Sequence, residues 1–206
     1  MSGIDTNVGK SYATGYLAKT WNEQGVRTIT QKFIQTGNVG MSEDIELHRK
    51  IMGTGLLPED ESGLTMPEIF TYPCSPHLAA EIDHRPIDFD KIEKATRQLS
   101  ETYDAVLLEG AGGLMVPLTR DLLTIDYVAQ KNYPLIFVTS GKLGSINHTL
   151  LSLEAVTRRG IRLHTVGYNL FPEEDDDIIR RDTEAYISDL LAKEYPETHF
   201  VIVPKL

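Results

Sequence analysis

Cysteine is almost absent from this chain, because Cys74 is the only one among 206 residues. A single cysteine excludes an internal disulfide and is typical of a protein from a reducing compartment. Long apolar runs are lacking as well, since no stretch approaches the ~20 residues needed to cross a bilayer, and no basic leader precedes an apolar core. We therefore expect a cytoplasmic protein with no membrane partner.

Basic residues are fewer than acidic ones. The chain has 20 lysines and arginines and 30 aspartates and glutamates, which gives a formal net charge of −10. General binding of nucleic acid requires a cationic face, so we expect no nucleic-acid partner. The acidity is concentrated in the run 173–177, directly ahead of an apolar-periodic stretch. We interpret that run as the negatively charged start of a helix.

Short apolar segments alternate with helical patterns along most of the chain. Ala105–Glu109 and Leu135–Thr139 are typical of buried strands, and Ser145–Arg159 has the spacing of a helix. Apolar strands separated by helices predict an α/β fold, in which a doubly wound, mainly parallel sheet carries helices on both faces. The length suits one such domain, to which we assign residues 1–206.

The first eleven residues contain the most informative motif. Gly3 is followed by five residues and then by Gly9-Lys10-Ser11 at the start of a helical pattern. This arrangement is typical of a P-loop, which binds phosphate through its backbone N–H groups, its lysine and a hydroxyl that ligates magnesium. A P-loop normally follows a strand, but only two residues precede Gly3, so we expect the first strand of the sheet to be missing.

Further charged residues stand near predicted strand ends, where parallel sheets bind their ligands. Glu109 ends a buried strand ahead of Gly110–Gly113, and we interpret it as a magnesium ligand, although a carboxylate there could also cap the next turn. Lys32 ends another strand, where a lysine usually meets an anion or a carboxylate. Asp44, near a helix start, is either a third magnesium ligand or a simple N-terminal charge. None of the six histidines has ligand spacing, so no zinc site is predicted.

Several blocks of sequence, in order along nearly the whole chain, together carry a specific resemblance. They are Gly3–Ser11, Lys32, Ser75-Pro76-His77, Glu109–Gly113 and Lys142–His148. The chain resembles the dethiobiotin synthetase family, a P-loop NTPase-like family of biotin synthesis. The resemblance implies a C–N bond-forming cyclo-ligase that uses ATP, Mg²⁺ and carbon dioxide, or bicarbonate as its source. It would convert 7,8-diaminopelargonic acid to dethiobiotin, ADP and phosphate through a carbamate and a carbamic-phosphoric anhydride.

The same resemblance implies roles for individual residues. The catalytic residues are Lys10 and Lys32, and the metal ligands are Ser11, Asp44 and Glu109. The nucleotide-binding residues are Asp5, Thr6, Asn7, Val8, Gly9, Lys10, Ser11, Glu109, Gly110, Ala111, Gly112, Asn169 and Pro204. The substrate-binding residues are Thr36, Ser75, Pro76, Gly144, Ser145, Ile146 and Asn147.

The resemblance also implies a homodimer in which the substrate's carboxylate reaches the neighbouring subunit. Gly144–Asn147, at a helix N-terminus, are suited to that carboxylate by their backbone dipoles. The alternatives are a non-catalytic P-loop nucleotide-binding module related to partitioning ATPases, a degenerate family member that binds ligand without turnover, and a different ATP-dependent ligase or amidotransferase on the same scaffold. The lysine-rich loop of the partitioning ATPases is absent, since Asp5 and Thr6 stand there instead.

Overall fold

The computed structural model describes residues 1–171 and 176–205, which contain eight strands and eight helices. The strands are β1 (Ser2–Gly3), β2 (Thr28–Lys32), β3 (Gln35–Thr36), β4 (Ile69–Phe70), β5 (Ala105–Glu109), β6 (Leu135–Ser140), β7 (Leu163–Asn169) and β8 (His199–Val203). The helices are α1 (Lys10–Glu23), α2 (Glu43–Met52), α3 (Pro58–Glu61), α4 (Pro76–Ile82), α5 (Phe89–Thr102), α6 (Thr124–Gln130), α7 (Ser145–Arg158) and α8 (Asp177–Glu194).

Every strand pairing among the described residues is parallel. The predicted α/β class, with mainly parallel strands and helices on both faces, is confirmed. The strands form one four-stranded sheet and two separate pairs. None of the helices in the described ranges has the length and hydropathy that a membrane span requires.

The chain divides into two compact units, and the assignment of 1–206 to one domain stays a prediction. The first unit comprises Met1–Ala13, Gly112–Met115 and Leu123–Leu206. Its sheet has the order β1-β6-β7-β8, and β6 is buried along its whole length. Helix α7 contacts both β6 and α8. This burial explains why the first four residues of β6, Leu135–Val138, are a continuous apolar run and do not alternate.

The start of the chain differs from the sequence-based expectation. Ser2 and Gly3 form a short strand that pairs in parallel with Phe137 and Val138, and the amide of Ile4 donates to the Val138 carbonyl at 3.0 Å. The prediction of a missing first strand is therefore wrong, because a two-residue strand precedes the P-loop. Two residues are too few to show the alternation by which strands are recognised in a sequence.

The second unit comprises Thr14–Ala111 and Val116–Leu122. Strands β2 and β5 pair over five residues in a register that sets Lys32 directly beside Glu109. Helix α2 contacts β2, and α5 contacts β5. The short pair β3–β4 and helix α3 were not predicted from the sequence, because elements of two to four residues carry no periodicity.

Two helix starts agree with the cap residues in the sequence. The Ser42 side chain accepts a hydrogen bond from the Ile45 amide at the start of α2. The Asp176 carboxylate accepts from the amides of Ile178 and Ile179 at the start of α8. The predicted acidic helix start thus holds for Asp176 and Asp177, whereas residues 173–175 of that run lie outside the described residues.

The end of helix α2 gives a prediction about stability. Gly53 adopts a φ of 74°, a left-handed conformation that costs residues with a Cβ about 1 kcal/mol. We expect Gly53→Ala to lower the free energy of unfolding by that amount. Gly55→Ala is the matched control, since an added Cβ meets nothing within 4 Å at either position and only Gly53 has a positive φ. Urea unfolding of the two variants would measure the difference, and equal losses would contradict the prediction.

Candidate active site

The P-loop leads from β1 into the start of α1, and both the loop and Lys10–Ala13 of that helix belong to the first unit. Helix α1 begins at Lys10, so Lys10 and Ser11 both lie in its first turn, where backbone N–H groups point toward an anion. The ammonium of Lys10, which is nearly buried, donates to the backbone carbonyl of Asp5 at 2.8 Å. The lysine therefore lies across its own loop and not out in solvent.

Two residues of the P-loop have left-handed backbone. Asn7 adopts a φ of 61° and Gly9 a φ of 86°, and asparagine and glycine tolerate this conformation best. Glycine is also required sterically, because a Cβ at position 9 would lie 1.9 Å from the side-chain nitrogen of Asn169. The loop thus closes against the end of β7.

Asn169, a predicted nucleotide-binding residue, is buried beside the P-loop. Its amide group donates to the carbonyls of Val8, at 2.9 Å, and of Phe171, and it accepts from the amide of Phe171 at 3.2 Å. The side chain therefore anchors the loop through Val8. A contact between Asn169 and adenine stays a prediction.

The other predicted residues of the first unit lie at element ends. Gly112 has a φ of 66°, and Pro204 directly follows β8. Gly144 is the N-cap of α7, and the hydroxyls of Ser145 and Ser140 lie 3.1 Å apart. Residues 144–147 thus occupy the cap and first turn of a 14-residue helix, a position whose N–H groups favour anions.

In the second unit, three predicted residues form one charged cluster. The Lys32 ammonium lies 2.9 Å from Glu109 Oε1, and it also forms an ion pair with Asp44. The Lys32 and Glu109 side chains are only 6% and 1% exposed. The strand register of β2 and β5 supplies the first pair, and helix α2 supplies Asp44.

The charges of this cluster stabilise one another against burial. Burial by itself would lower the pKa of Lys32, but the nearby carboxylates of Glu109 and Asp44 outweigh it and raise the pKa above its ordinary value. Burial would likewise raise the pKa of Glu109, whereas Lys32 and His48 hold that pKa well below its usual range. Lys32 and Glu109 are therefore both charged at neutral pH.

The Asp44 and Glu109 carboxylates are ligands of the chemical type that magnesium prefers. Both are hard oxygen donors, and both lie on the same ammonium group. No group of three or more His, Cys, Asp or Glu side chains with a metal-binding arrangement occurs within residues 1–171 and 176–205. Ser11, the third predicted ligand, belongs to the first unit. The metal assignment thus stays a prediction.

The predicted substrate residues of the second unit lie in its short elements. Thr36 ends β3 and pairs with Phe70 of β4. Ser75 is the N-cap residue of α4, and its hydroxyl lies 3.1 Å from Nδ1 of His77. Pro76 opens that helix and is buried. Their roles toward substrate stay predictions.

A buried polar network behind Glu109 was not predicted from the sequence. His48 contacts Glu109 Oε2 at 2.8 Å and the Thr30 hydroxyl at 3.0 Å, and that hydroxyl accepts from Arg49 at 2.8 Å. Arg49 in turn forms a two-pronged ion pair with Asp60, with both bonds 2.8 Å long. The available signal was the spacing of Asp44 and His48, because residues four apart share one helix face.

Comparison with known proteins identifies a family model that matches this chain and three similar proteins that carry the same enzyme name. A family model described as an AAA domain matches residues 1–203. The ATP-dependent dethiobiotin synthetase BioD 2 of Pasteurella multocida is 51% identical over 203 residues, which cover 98% of this chain and 95% of the relative. The protein of the same name from Haemophilus influenzae is 59% identical over 175 residues, covering 85% and 92%. ATP-dependent dethiobiotin synthetase BioD of Chlorobaculum tepidum is 53% identical over 184 residues, covering 89% and 77%.

The Arg49–Asp60 pair gives a prediction about pH. Burial raises the pKa of Asp60, but bonds from Arg49, the Leu57 amide and Thr65 outweigh it and hold the pKa below its ordinary value. The unfolded chain therefore binds the proton more readily. The stabilisation is present above about pH 4, the pKa of an unfolded aspartate, and is lost as the pH falls through the folded pKa.

We expect Asp60→Asn to lower the free energy of unfolding by about 3–5 kcal/mol at pH 7, because the buried Arg49 guanidinium loses the negative charge that it pairs with. The difference in free energy of unfolding between Asp60→Asn and the parent protein should become smaller as the pH falls below about 4. Urea unfolding of both proteins between pH 7 and pH 3 measures this difference. Asp90→Asn, at an exposed carboxylate, should stay within about 0.5 kcal/mol of the parent. A gap that widens toward low pH would refute the assignment.

Proposed function

Because the chain belongs to the ATP-dependent dethiobiotin synthetase family, we propose that it closes the ureido ring of 7,8-diaminopelargonic acid with carbon dioxide. It is an ATP-dependent cyclo-ligase with a role in biotin biosynthesis. The observation that carries the detailed proposal is the buried cluster of Lys32, Asp44 and Glu109. A charged lysine at the ends of two buried strands is what a reaction between anionic groups requires.

The proposed chemistry has three steps. One amine of the substrate forms a C–N bond with carbon dioxide and releases a proton, which gives a carbamate. A carbamate oxygen then attacks the γ-phosphorus of ATP, the bond to the ADP oxygen breaks, and a carbamic-phosphoric anhydride forms. The second amine attacks the carbonyl carbon of that anhydride, loses its proton and expels phosphate, which closes the ring to dethiobiotin.

Lys32 serves in this scheme as a fixed positive charge. Since neighbouring carboxylates raise its pKa above the ordinary value, its ammonium group keeps its protons at neutral pH and is unsuited to be a general base. It would instead stabilise the carbamate and the phosphoryl group that is transferred. The Glu109 and Asp44 carboxylates hold the ammonium in place.

The nucleotide would be held by the P-loop from Asp5 to Ser11, with Lys10 on the phosphates. Lys10 would then exchange its hydrogen bond to the Asp5 carbonyl for stronger, charge-assisted bonds to phosphate. Gly110, Ala111 and Gly112 belong to the same proposed nucleotide set. Asn169 would act by anchoring the loop as well as by contacting the base.

Magnesium would be held by Asp44, Glu109 and Ser11, whose oxygen atoms are of the type it prefers. When bound, the ion supplies positive charge that neutralises the phosphate groups of ATP. Thr36, Ser75 and Pro76 would contact the substrate, and residues 144–147 of a partner subunit would bind its distal carboxylate. A homodimer and a cytoplasmic location are parts of this proposal.

Phosphate release from ATP tests the proposed reaction. We expect release that depends on diaminopelargonic acid and bicarbonate supplied together, with dethiobiotin detected by mass spectrometry in equal amount. If the folded protein releases no substrate-dependent phosphate, the proposal is wrong and a non-catalytic nucleotide-binding module is favoured. Binding of labelled ATP without turnover would support that alternative.

Variants of the buried cluster test the assigned roles. Lys32→Ala and Glu109→Gln should each lower kcat about 10²–10³-fold, because the first removes the positive charge that would stabilise the transition state and the second removes the carboxylate that would hold Lys32 and magnesium. Lys50→Ala and Glu46→Gln are matched controls at exposed positions of α2. Thermal unfolding must show that each variant is folded at the assay temperature. Parental rates in either cluster variant would overturn the role of that residue.

A further inference from the structure

The Glu109 carboxylate is held by a different partner at each oxygen. Oε1 faces the Lys32 ammonium at 2.9 Å, and Oε2 faces Nε2 of His48 at 2.8 Å. The His48 side chain is completely buried, so it does not contact solvent. The proposed reaction assigns no task to this histidine, and a buried imidazole on a reactive carboxylate requires an explanation.

The hydrogen-bond direction follows from the Thr30 hydroxyl. Arg49 lies 2.8 Å from this oxygen and, as a guanidinium, can only donate to it. This buried hydroxyl also has its own hydrogen to donate, and Nδ1 of His48, 3.0 Å away, is the acceptor beside it among the described residues. A neutral ring that accepts at Nδ1 carries its hydrogen on Nε2. That hydrogen points at Glu109 Oε2.

The hydrogen bonds that run from Glu109 through His48 and Thr30 to Arg49 end at Asp60, which is firmly held. Asp60 binds Arg49 through two parallel bonds and also accepts from the Leu57 amide at 2.7 Å and the Thr65 hydroxyl at 2.7 Å. Two-pronged ion pairs fix the plane of the guanidinium as well as its position. The orientation of the Thr30 hydroxyl, and hence of the histidine ring, is therefore set by groups remote from the charged cluster.

We propose that His48 is a positioning residue, which donates from Nε2 to Glu109 and thereby turns Oε1 of that carboxylate toward Lys32. This inference rests on the proposed function, because Glu109 matters to turnover only if the cluster is the reaction site. The same helix α2 supplies Asp44 to Lys32 and His48 to Glu109 from positions four apart. One helix face thus orients both carboxylates around one ammonium.

The kinetic test compares two replacements of the histidine. His48→Gln keeps an N–H donor near Nε2, whereas His48→Leu fills similar volume without a donor. We expect His48→Leu to lower kcat about 10–100-fold, as for other partners that orient a functional carboxylate, with the KM values for ATP and diaminopelargonic acid within about threefold of the parent. His48→Gln should recover most of that loss. Equal kcat values for the parent and His48→Leu would overturn the proposal.

A second pair of variants tests the link through Thr30. Thr30→Val removes the hydroxyl at constant shape and should lower kcat, while Thr30→Ser should restore it. Thr28→Val is the matched control, because its buried hydroxyl bonds to the backbone carbonyl of Val26, outside this network. A Thr30→Val enzyme as active as Thr28→Val would contradict the proposed link.

Nitrogen NMR of the histidine rings gives a readout that needs no turnover. In the parent protein at assay pH, we expect His48 to carry a hydrogen on Nε2 and none on Nδ1, and Thr30→Val to weaken the preference for Nε2. A hydrogen on Nδ1 with none on Nε2 would overturn the proposed donation to Glu109 even if His48→Leu fails to fold, and a hydrogen on both nitrogens would overturn the link through Thr30. If the parent protein makes no dethiobiotin, the proposed function fails by itself, whereas the NMR result still decides how His48 contacts Glu109.

Discussion

The buried ion pair between Lys32 and Glu109 is the constraint on which the second unit depends. Removing two charges from water costs several kcal/mol per ion, and well-packed apolar residues usually stabilise a core as well or better. The chain nonetheless ends β2 and β5 with opposite charges in matching register, and it adds Asp44 and His48 around them. Stability alone does not explain such a cluster. The proposed function supplies a reason, because it would use a fixed positive charge at the ends of these parallel strands.

Much of this arrangement follows from the sequence by one topological rule. Lys32 and Glu109 were predicted as site residues because each ends a buried strand, and the structure brings them to 2.9 Å. The longer elements, such as β5, β6 and α7, were predicted because an element of five or more residues has a recognisable pattern of apolar residues in the sequence. By contrast, β1, β3 and β4 have two residues each, and their existence depends on neighbouring strands that lie far away in sequence.

His48 shows where sequence reasoning failed and why. Among six scattered histidines it has no motif of its own, and it was judged only by whether another ligand stood at metal-binding spacing. Its significance comes from contacts with β2 and β5, which lie 18 and 61 residues away along the chain. Only the folded chain shows that Thr30 and Glu109 meet the two nitrogens of one ring. Helical spacing from Asp44 was the local clue, and it acquires meaning once Asp44 is known to contact Lys32.

The two units prepare their functional groups in the same physical way. In the first, Asn169 fixes the P-loop through the Val8 carbonyl, and Gly9 permits this contact because it lacks a Cβ. In the second, bonds that end at Asp60 fix the carboxylate of Glu109. A charge or N–H group that is already oriented need not reorganise when negative charge develops, and this saving is the main source of electrostatic catalysis. Under the proposed function, buried polar groups without catalytic contacts of their own would therefore contribute to the rate.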